Sequence, residues 1–174
     1  MVKLKGDIVY LRALEPEDLN FLYKLENNPE IWEVSGTLTP YSKHVLQLYL
    51  KNSHRDIFEV KQLRLCICNN ENEVIGLIDL YDYDPKHRRA GVGIIIMEKD
   101  QRNRGAGTEA LSLMIKYAFS ILDLRQIYAN VGEENAASIK LFGKLGFENA
   151  GLKKDWIRAG SSYKSEYLFQ KINT

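Results

Sequence analysis

Scarcity sets the first limits on this sequence. With only two cysteines and three histidines among 174 residues, the metal-binding possibilities are few. Cys66 and Cys68 stand two apart in an alternating apolar segment, which points both side chains to one face of a strand. His44, His54 and His87 keep no ligand spacing with them, so the pair reads as buried thiols and no metal is expected. Excess charge is lacking too: 24 Lys and Arg against 23 Asp and Glu leave a net +1, which gives no reason to expect nucleic acid or an acidic membrane as partner. Any anion site must therefore be local. No apolar run approaches the roughly 18 residues that a spanning helix needs, and the first six residues lack the apolar core of a signal peptide, so a cytoplasmic location is expected. Repeats, linkers and low-complexity stretches are also missing. A single domain over residues 1–174 is the expectation.

What the chain does contain is hydrophobic period. Residues 7–12 read as a strand, and Glu15-Pro16-Glu17-Asp18 then opens a helix with Pro and acids in its first turn and Leu19, Leu22 and Leu25 along its apolar stripe. Asn27-Asn28-Pro29 ends it. Residues 31–40 show no clean period, and Trp32 and Tyr41 there are cleft candidates. A helix over 42–54 carries Val45, Leu48 and Tyr49 on one face, followed by strands at 63–68, 74–81 and 88–97 in an antiparallel meander. Residues 92–97 form the most apolar run, which predicts a strand covered on both faces. After the next helix come a strand at 126–131, a short helix to about Leu145 ended by Gly146, and strands at 147–157 and 163–171. The pattern predicts an α/β (α+β) fold: a single mixed, mostly antiparallel sheet of about seven strands flanked by about four helices.

The stretch Gln101-Arg102-Asn103-Arg104-Gly105-Ala106-Gly107-Thr108 joins the apolar strand to a helix whose stripe runs Ala110, Leu111, Met114, Tyr117, Ala118 and Ile121. Two arginines and two glycines before a helix suit an anion. Glycine lets the backbone approach a ligand, and the free N–H groups of the first turn favour phosphate. A plain solvated helix start has the same composition. The short helix that ends near Leu145 places Asn135, Ser138 and Phe142 on one stripe, so two helix starts with polar groups are expected to meet near one end of the sheet. That arrangement fits a long ligand with phosphates and amides.

Arg102-Asn103-Arg104-Gly105-Ala106-Gly107 resembles the (Q/R)xxGx(G/A) pyrophosphate signature of the GNAT superfamily of acyl-CoA-dependent N-acyltransferases. The run Asn135-Ala136-Ala137-Ser138-Ile139-Lys140-Leu141-Phe142 is similar to that superfamily's second CoA motif, and Leu11-Arg12-Ala13-Leu14-Glu15-Pro16-Glu17-Asp18-Leu19 to its N-terminal start. Gly76 to Asp82, His87-Arg88-Arg89-Ala90 and Ile94-Ile95-Ile96 look most like the spermidine N-acetyltransferase branch and its ribosomal-protein N-terminal acetyltransferase relatives. The resemblance implies an acetyl-CoA-dependent N-acetyltransferase acting on a primary amine: a polyamine, a protein N-terminus or an amino-group metabolite. The sequence leaves a homo-oligomer open, and on charge and apolar runs neither nucleic acid nor membrane is expected as a partner. The resemblance also implies that Ile94, Ile95, Ile96 and Met97 meet the pantetheine arm, that Arg102, Asn103, Arg104, Gly105, Ala106, Gly107 and Thr108 hold the pyrophosphate, and that Asn135, Ser138 and Phe142 flank the reactive end.

The chain departs from that branch where chemistry is concentrated. Phe142 replaces a tyrosine regarded as proton donor to the leaving thiolate, Thr37-Leu38-Thr39-Pro40-Tyr41 lacks paired acids, and Gly91 replaces an acid. Asp79 and Asp82 remain as carboxylates able to attract the amine, with Asp79 the catalytic candidate, and Tyr81, Tyr83 and Tyr128 are candidate substitute donors. Two other classes are on the table. Gly105-Ala106-Gly107-Thr108-Glu109-Ala110 also satisfies a GxGxxA dinucleotide fingerprint, but too many residues separate it from the preceding strand and only one crossover follows. The loss of the tyrosine motivates a catalytically weak or inactive CoA-binding module.

Overall fold

The computed structural model describes residues 4–97 and 104–174. Seven strands, β1 (Val9–Ala13), β2 (Leu63–Asn69), β3 (Val74–Asp84), β4 (Arg89–Ile96), β5 (Gln126–Gly132), β6 (Glu148–Ala159) and β7 (Ser162–Ile172), form one sheet in the order β1-β2-β3-β4-β5-β7-β6. Every neighbouring pair is antiparallel except β4 and β5. These two run parallel because a helix crosses between them, as the strand-helix-strand reading required.

Six α-helices, not about four, occur among the described residues: α1 (Leu19–Glu26), α2 (Pro29–Ser35), α3 (Lys43–Lys51), α4 (Ile57–Val60), α5 (Ala106–Ser120) and α6 (Ala136–Lys144). The unexpected α2 starts where the sequence seemed only to stop a helix. Pro29 occupies its first turn, where a missing N–H costs nothing, and the Asn28 side chain accepts from Glu30 N. The helix α3 forms as expected after the Ser42 cap, but with another face inward. Leu46 and Leu50 are buried, whereas Val45 and Leu48 are almost half exposed. Its short amphipathic pattern admits two phases, and packing on α1 selects the one that buries Leu46 and Leu50.

The sheet is covered on both faces. Ala110, Leu111, Met114 and Ala118 of α5 and Phe142 of α6 pack with Ile67, Ile78, Leu80 and Val92 in the larger core. On the other face Leu22 and Leu25 of α1, Ile31 of α2 and Leu46 and Leu50 of α3 bury Cys66, Cys68 and Leu77. Both cysteines are free and lie on that one face, as their spacing predicts. Strand β4 and the residue after it divide their side chains between the two cores: Ile94 and Ile96 border the first, Ile95 and Met97 the second. Coverage is incomplete there, because residues 93–97 are only half buried.

The cause is a split in the sheet. Strands β4 and β5 pair only at Arg89 with Gln126, Ala90 with Ile127 and Gly91 with Tyr128. Beyond Gly91 the two strands are unpaired with each other, and each turns one backbone edge to the opening. The N-terminal region is tied down around it. The Arg12 guanidinium forms a fork with Asp18 at 2.8 Å on both oxygens, and the Glu109 carboxylate of α5 accepts N–H bonds from Asp7, Ile8 and Val9.

Candidate active site

Two cavities meet at the split. The larger, about 790 Å³, is lined by Val92, Gly93, Ile94 and Ile95 from β4, by residues 130–132 from β5, and by Asn135, Ser138 and Phe142. The second, about 500 Å³, is lined by Ile94, Ile95 and Ile96, by Gly105, Gly107 and Thr108 at the start of α5, and by Asn135, Ser138, Lys140, Leu141 and Lys144. Because Ile94, Ile95, Asn135 and Ser138 border both, the two are halves of one cleft. Each half lies within the size range of ligand pockets.

The residues expected at a cofactor distribute unequally. Ile94, Ile95, Ile96, Gly105, Gly107, Thr108, Asn135, Ser138 and Phe142 line the cleft. Met97 does not: its side chain packs on the α1–α3 side and its N–H donates to Ile75 O. Ala106 is buried in the larger core beneath the helix start, and Arg104 is exposed and lines neither half. Arg102 and Asn103 lie outside the described residues.

At the start of α5 the first helical bond runs from Glu109 N to Gly105 O, so the N–H groups of Ala106, Gly107 and Thr108 have no acceptor within the helix. Gly105 caps the helix with φ +89°, a backbone that side-chain-bearing residues rarely adopt. Gly107 is different. A Cβ there would touch Ile94 and Leu141 only at ordinary distance, 3.9 Å, so internal packing does not demand glycine. Its missing side chain keeps the space between β4 and α6 open. Glu109, a potential repellent in the same first turn, spends its charge on β1. Burial works against its ionisation, but the N–H groups of Val9, Asp7 and Ile8 outweigh that and hold the carboxyl below its usual range.

Asn135 caps α6, its Oδ1 accepting from Ser138 N at 3.1 Å. The cap and the cleft lining are one residue's two roles. Phe142 is 4% exposed and sits edge-on to Phe147 at 5.0 Å, so it closes the floor of the larger cavity with an apolar ring. Trp32 and Tyr41 line neither half. The Trp32 indole donates to Glu26 O at 2.8 Å, and Glu30, Ile31, Ser35 and Gly36 border the cleft in their place.

Polar groups gather in the larger cavity on the α1–α3 face. Arg64 Nη1 contacts Glu26 at 3.0 Å, Arg64 Nη2 lies 3.6 Å from Asp79 Oδ2, and Gln62 Nε2 donates to the same oxygen at 3.0 Å. The other oxygen of Asp79, Oδ1, lies over Gly93, where a Cβ would come within 3.0 Å of it. Asp82 is exposed in a β3 bulge and lines neither half. Tyr83 is buried edge-on to Phe58, away from the cleft. Tyr128 meets Tyr81 edge-on but lines neither half, whereas Tyr81 is itself part of the lining. Burial pushes the Tyr81 phenol up to about 12, against the Asn130 hydrogen bond, which lowers it.

Overall the larger cavity carries five carboxylates, Glu30, Asp79, Glu133, Glu134 and Glu166, against the cations Arg64 and Lys164. Lys153, just outside, offsets Glu166. The smaller half has Lys140 and Lys144 against Glu30. One end of the cleft favours a cation and the other an anion. Glu30, Lys164 and Glu166 were not singled out by the sequence, because only the tertiary fold brings them to one cavity with Glu133 and Glu134, which follow β5.

A split parallel pair fed by two capped helix starts, with an anion-favouring and a cation-favouring end, is the architecture of an acyl-CoA N-acyltransferase. Residues 9–148 match the acetyltransferase (GNAT) domain family, and the chain belongs to that family and is an N-acetyltransferase by class. It is 34% identical over 145 residues to spermidine N(1)-acetyltransferase of Escherichia coli K12, spanning 82% of this chain and 74% of that protein. The crystal structure of spermidine N-acetyltransferase from Vibrio cholerae with CoA and spermine superposes with a TM-score of 0.85, at 26% identity and 96% coverage of both chains. A dodecameric form of the Vibrio cholerae enzyme superposes with a TM-score of 0.78, at 26% identity, covering 96% of this chain and 95% of that one.

Proposed function

We propose that the chain, as one catalytic domain, uses acetyl-CoA to acetylate a primary amine that carries further positive charge, a polyamine in the first place. The observation that carries this reading is the charge polarity of the cleft. The pyrophosphate goes to the free N–H groups of residues 106–108, with Lys140 and Lys144 beside it. The pantetheine arm goes into the split along Ile94, Ile95 and Ile96, and the thioester faces the larger cavity above Phe142. The cationic acceptor goes among Asp79, Glu133 and Glu134. The names and bound ligands of the similar proteins support the same reading.

In that pose the neutral amine attacks the thioester carbonyl directly. Asp79 Oδ1 sits where it can hold the amine's charge before attack and take its proton through water, while Arg64 and Gln62 fix the opposite oxygen. The dodecameric relative and the exposed Trp156 and Tyr163 of the β6–β7 hairpin support a homo-oligomer, which light scattering at micromolar concentration tests. For the reaction, the test is free-thiol release from acetyl-CoA with spermidine, a peptide with a free N-terminus, an amino sugar and a neutral amino acid. Release is expected to be fastest with spermidine and to slow as salt screens the cleft. Binding of acetyl-CoA without release on any amine overturns the transferase reading in favour of a CoA-binding module.

A further inference from the structure

We propose that Tyr81, on β3, is the proton donor to the leaving sulfur, in place of the hydroxyl that Phe142 lacks. The assignment rests on the transferase reading above and deepens it. Tyr81 and Phe142 line the same cavity from different elements, β3 and α6. The Tyr81 ring reaches the cleft because its registered partner on β4 is Gly91, and its hydroxyl crosses β4 to meet Asn130 of β5. It therefore stands at the last rung before β4 and β5 part, since Gly91 pairs with Tyr128 and no later residue of β4 pairs with β5.

The direction of the Asn130 bond decides what Tyr81 can do. Lys153 Nζ contacts Asn130 Oδ1 at 2.9 Å and is itself held by Glu166. An ammonium has only protons to give, so the amide oxygen must face Lys153 and the amide NH₂ must face Tyr81. Asn130 Nδ2 accordingly donates to Tyr81 Oη at 3.1 Å, and the phenol is the acceptor. Its own proton is not used in that bond, and no other hydrogen bond engages it among the described residues. Four strands, β3, β5, β6 and β7, thus cooperate to present one O–H group. A phenol is protonated at neutral pH, and burial moves this one further from ionising.

The amine nitrogen's lone pair forms the C–N bond, and collapse of the tetrahedral intermediate breaks C–S with its electron pair left on sulfur. Sulfur takes the Tyr81 proton, and the proton released by the nitrogen restores the phenol. Since a thiol ionises at about 8.5, a phenol held near 12 gives up its proton only as it gains the other, so the two transfers are coupled. The products are the amide and the free thiol of CoA.

The test is Tyr81→Phe, which keeps the ring over Gly91 and removes only the hydroxyl, with Tyr128→Phe as control. Acetyl-CoA affinity by calorimetry, the KM for spermidine and the thermal midpoint are expected to stay within twofold or a degree or two of wild type. The kcat for thiol release is expected to fall roughly 10²-fold, the lower end of what a general acid contributes, while Tyr128→Phe keeps its kcat. A kcat for Tyr81→Phe within threefold of wild type overturns the assignment and leaves the transferase reading standing. Wild-type protein that releases no thiol with any amine overturns both.

Discussion

Tyr81 occupies the space that a side chain at Gly91 would need: a Cβ built on Gly91 falls 2.3 Å from two carbons of the Tyr81 ring. The position that carries an acid in the resembling branch is thus filled here from the neighbouring strand. Gly91→Ala must displace the ring or the strand, and overpacking of this kind costs about 1–3 kcal/mol. The expected outcome is a lower thermal midpoint together with loss of most amine-dependent thiol release. A variant with unchanged midpoint and rate would show that the ring does not lie over Gly91.

The two glycines at the start of α5 predict different failures. Gly107→Glu places a bulky anion in open space between Ile94 and Leu141, so the thermal midpoint is expected to hold while acetyl-CoA affinity falls by more than an order of magnitude, about 1.4 kcal/mol or more. Gly105→Ala instead forces a side chain onto φ +89° and against Ile8, which is expected to cost about 1–2 kcal/mol of stability. Calorimetric titration beside thermal unfolding separates the two. Equal affinity for Gly107→Glu and wild type would remove the pyrophosphate from this helix start.

Asp18 and Glu109 make stability depend on acid. Burial opposes ionisation of both, but the Arg12 fork and the Glu15 N–H hold Asp18 below its usual range, and three backbone N–H groups do the same for Glu109. Carboxyls depressed in the folded state contribute stability that is fully present above the unfolded value, about 4, and is lost as pH falls through the lower folded values. The midpoint is therefore expected to be flat from pH 7 to 5 and to drop below pH 4. Glu109→Gln should show a lower midpoint at pH 7 and a shallower drop in acid; parallel curves for the two proteins would refute the role given to Glu109.

Arg12→Met isolates the buried partner. It leaves Asp18, 4% exposed, without its guanidinium, and breaking a buried pair from one side costs about 3–5 kcal/mol. Denaturant unfolding should show that loss, and Arg12→Met with Asp18→Leu should recover part of it. A single-variant cost under about 1 kcal/mol would class the pair with surface bridges.

Where the sequence was legible, period and punctuation agreed. The meander of β2, β3 and β4, the crossover through α5 and the Gly146 stop at φ +77° follow from runs long enough for one period to dominate. The inward face of α3 was not, because Val45-Leu46 and Leu48-Tyr49-Leu50 offer two overlapping stripes and only contact with α1 chooses between them. For the site, glycine spacing and the Asn135 and Ser138 pair were readable because they sit on single elements. Tyr81 could not be told from Tyr83 or Tyr128, since what distinguishes it is a bulge at Asp82, a glycine on the next strand and an amide two strands away. Such facts are long-range, and no local pattern carries them.

The three-rung seam between β4 and β5 has a last consequence, for how this protein tolerates change. Under the proposed reading, much of the hold on the ligand comes from main-chain edges and helix-start N–H groups, which every residue type supplies equally. Exchanging Ile95 for Val would then alter the grip only slightly. A one-residue deletion in β4 would be another matter, because it would turn every following side chain to the opposite face and carry the free edge out of step with the start of α5. The site is thus robust to spelling and fragile to frame.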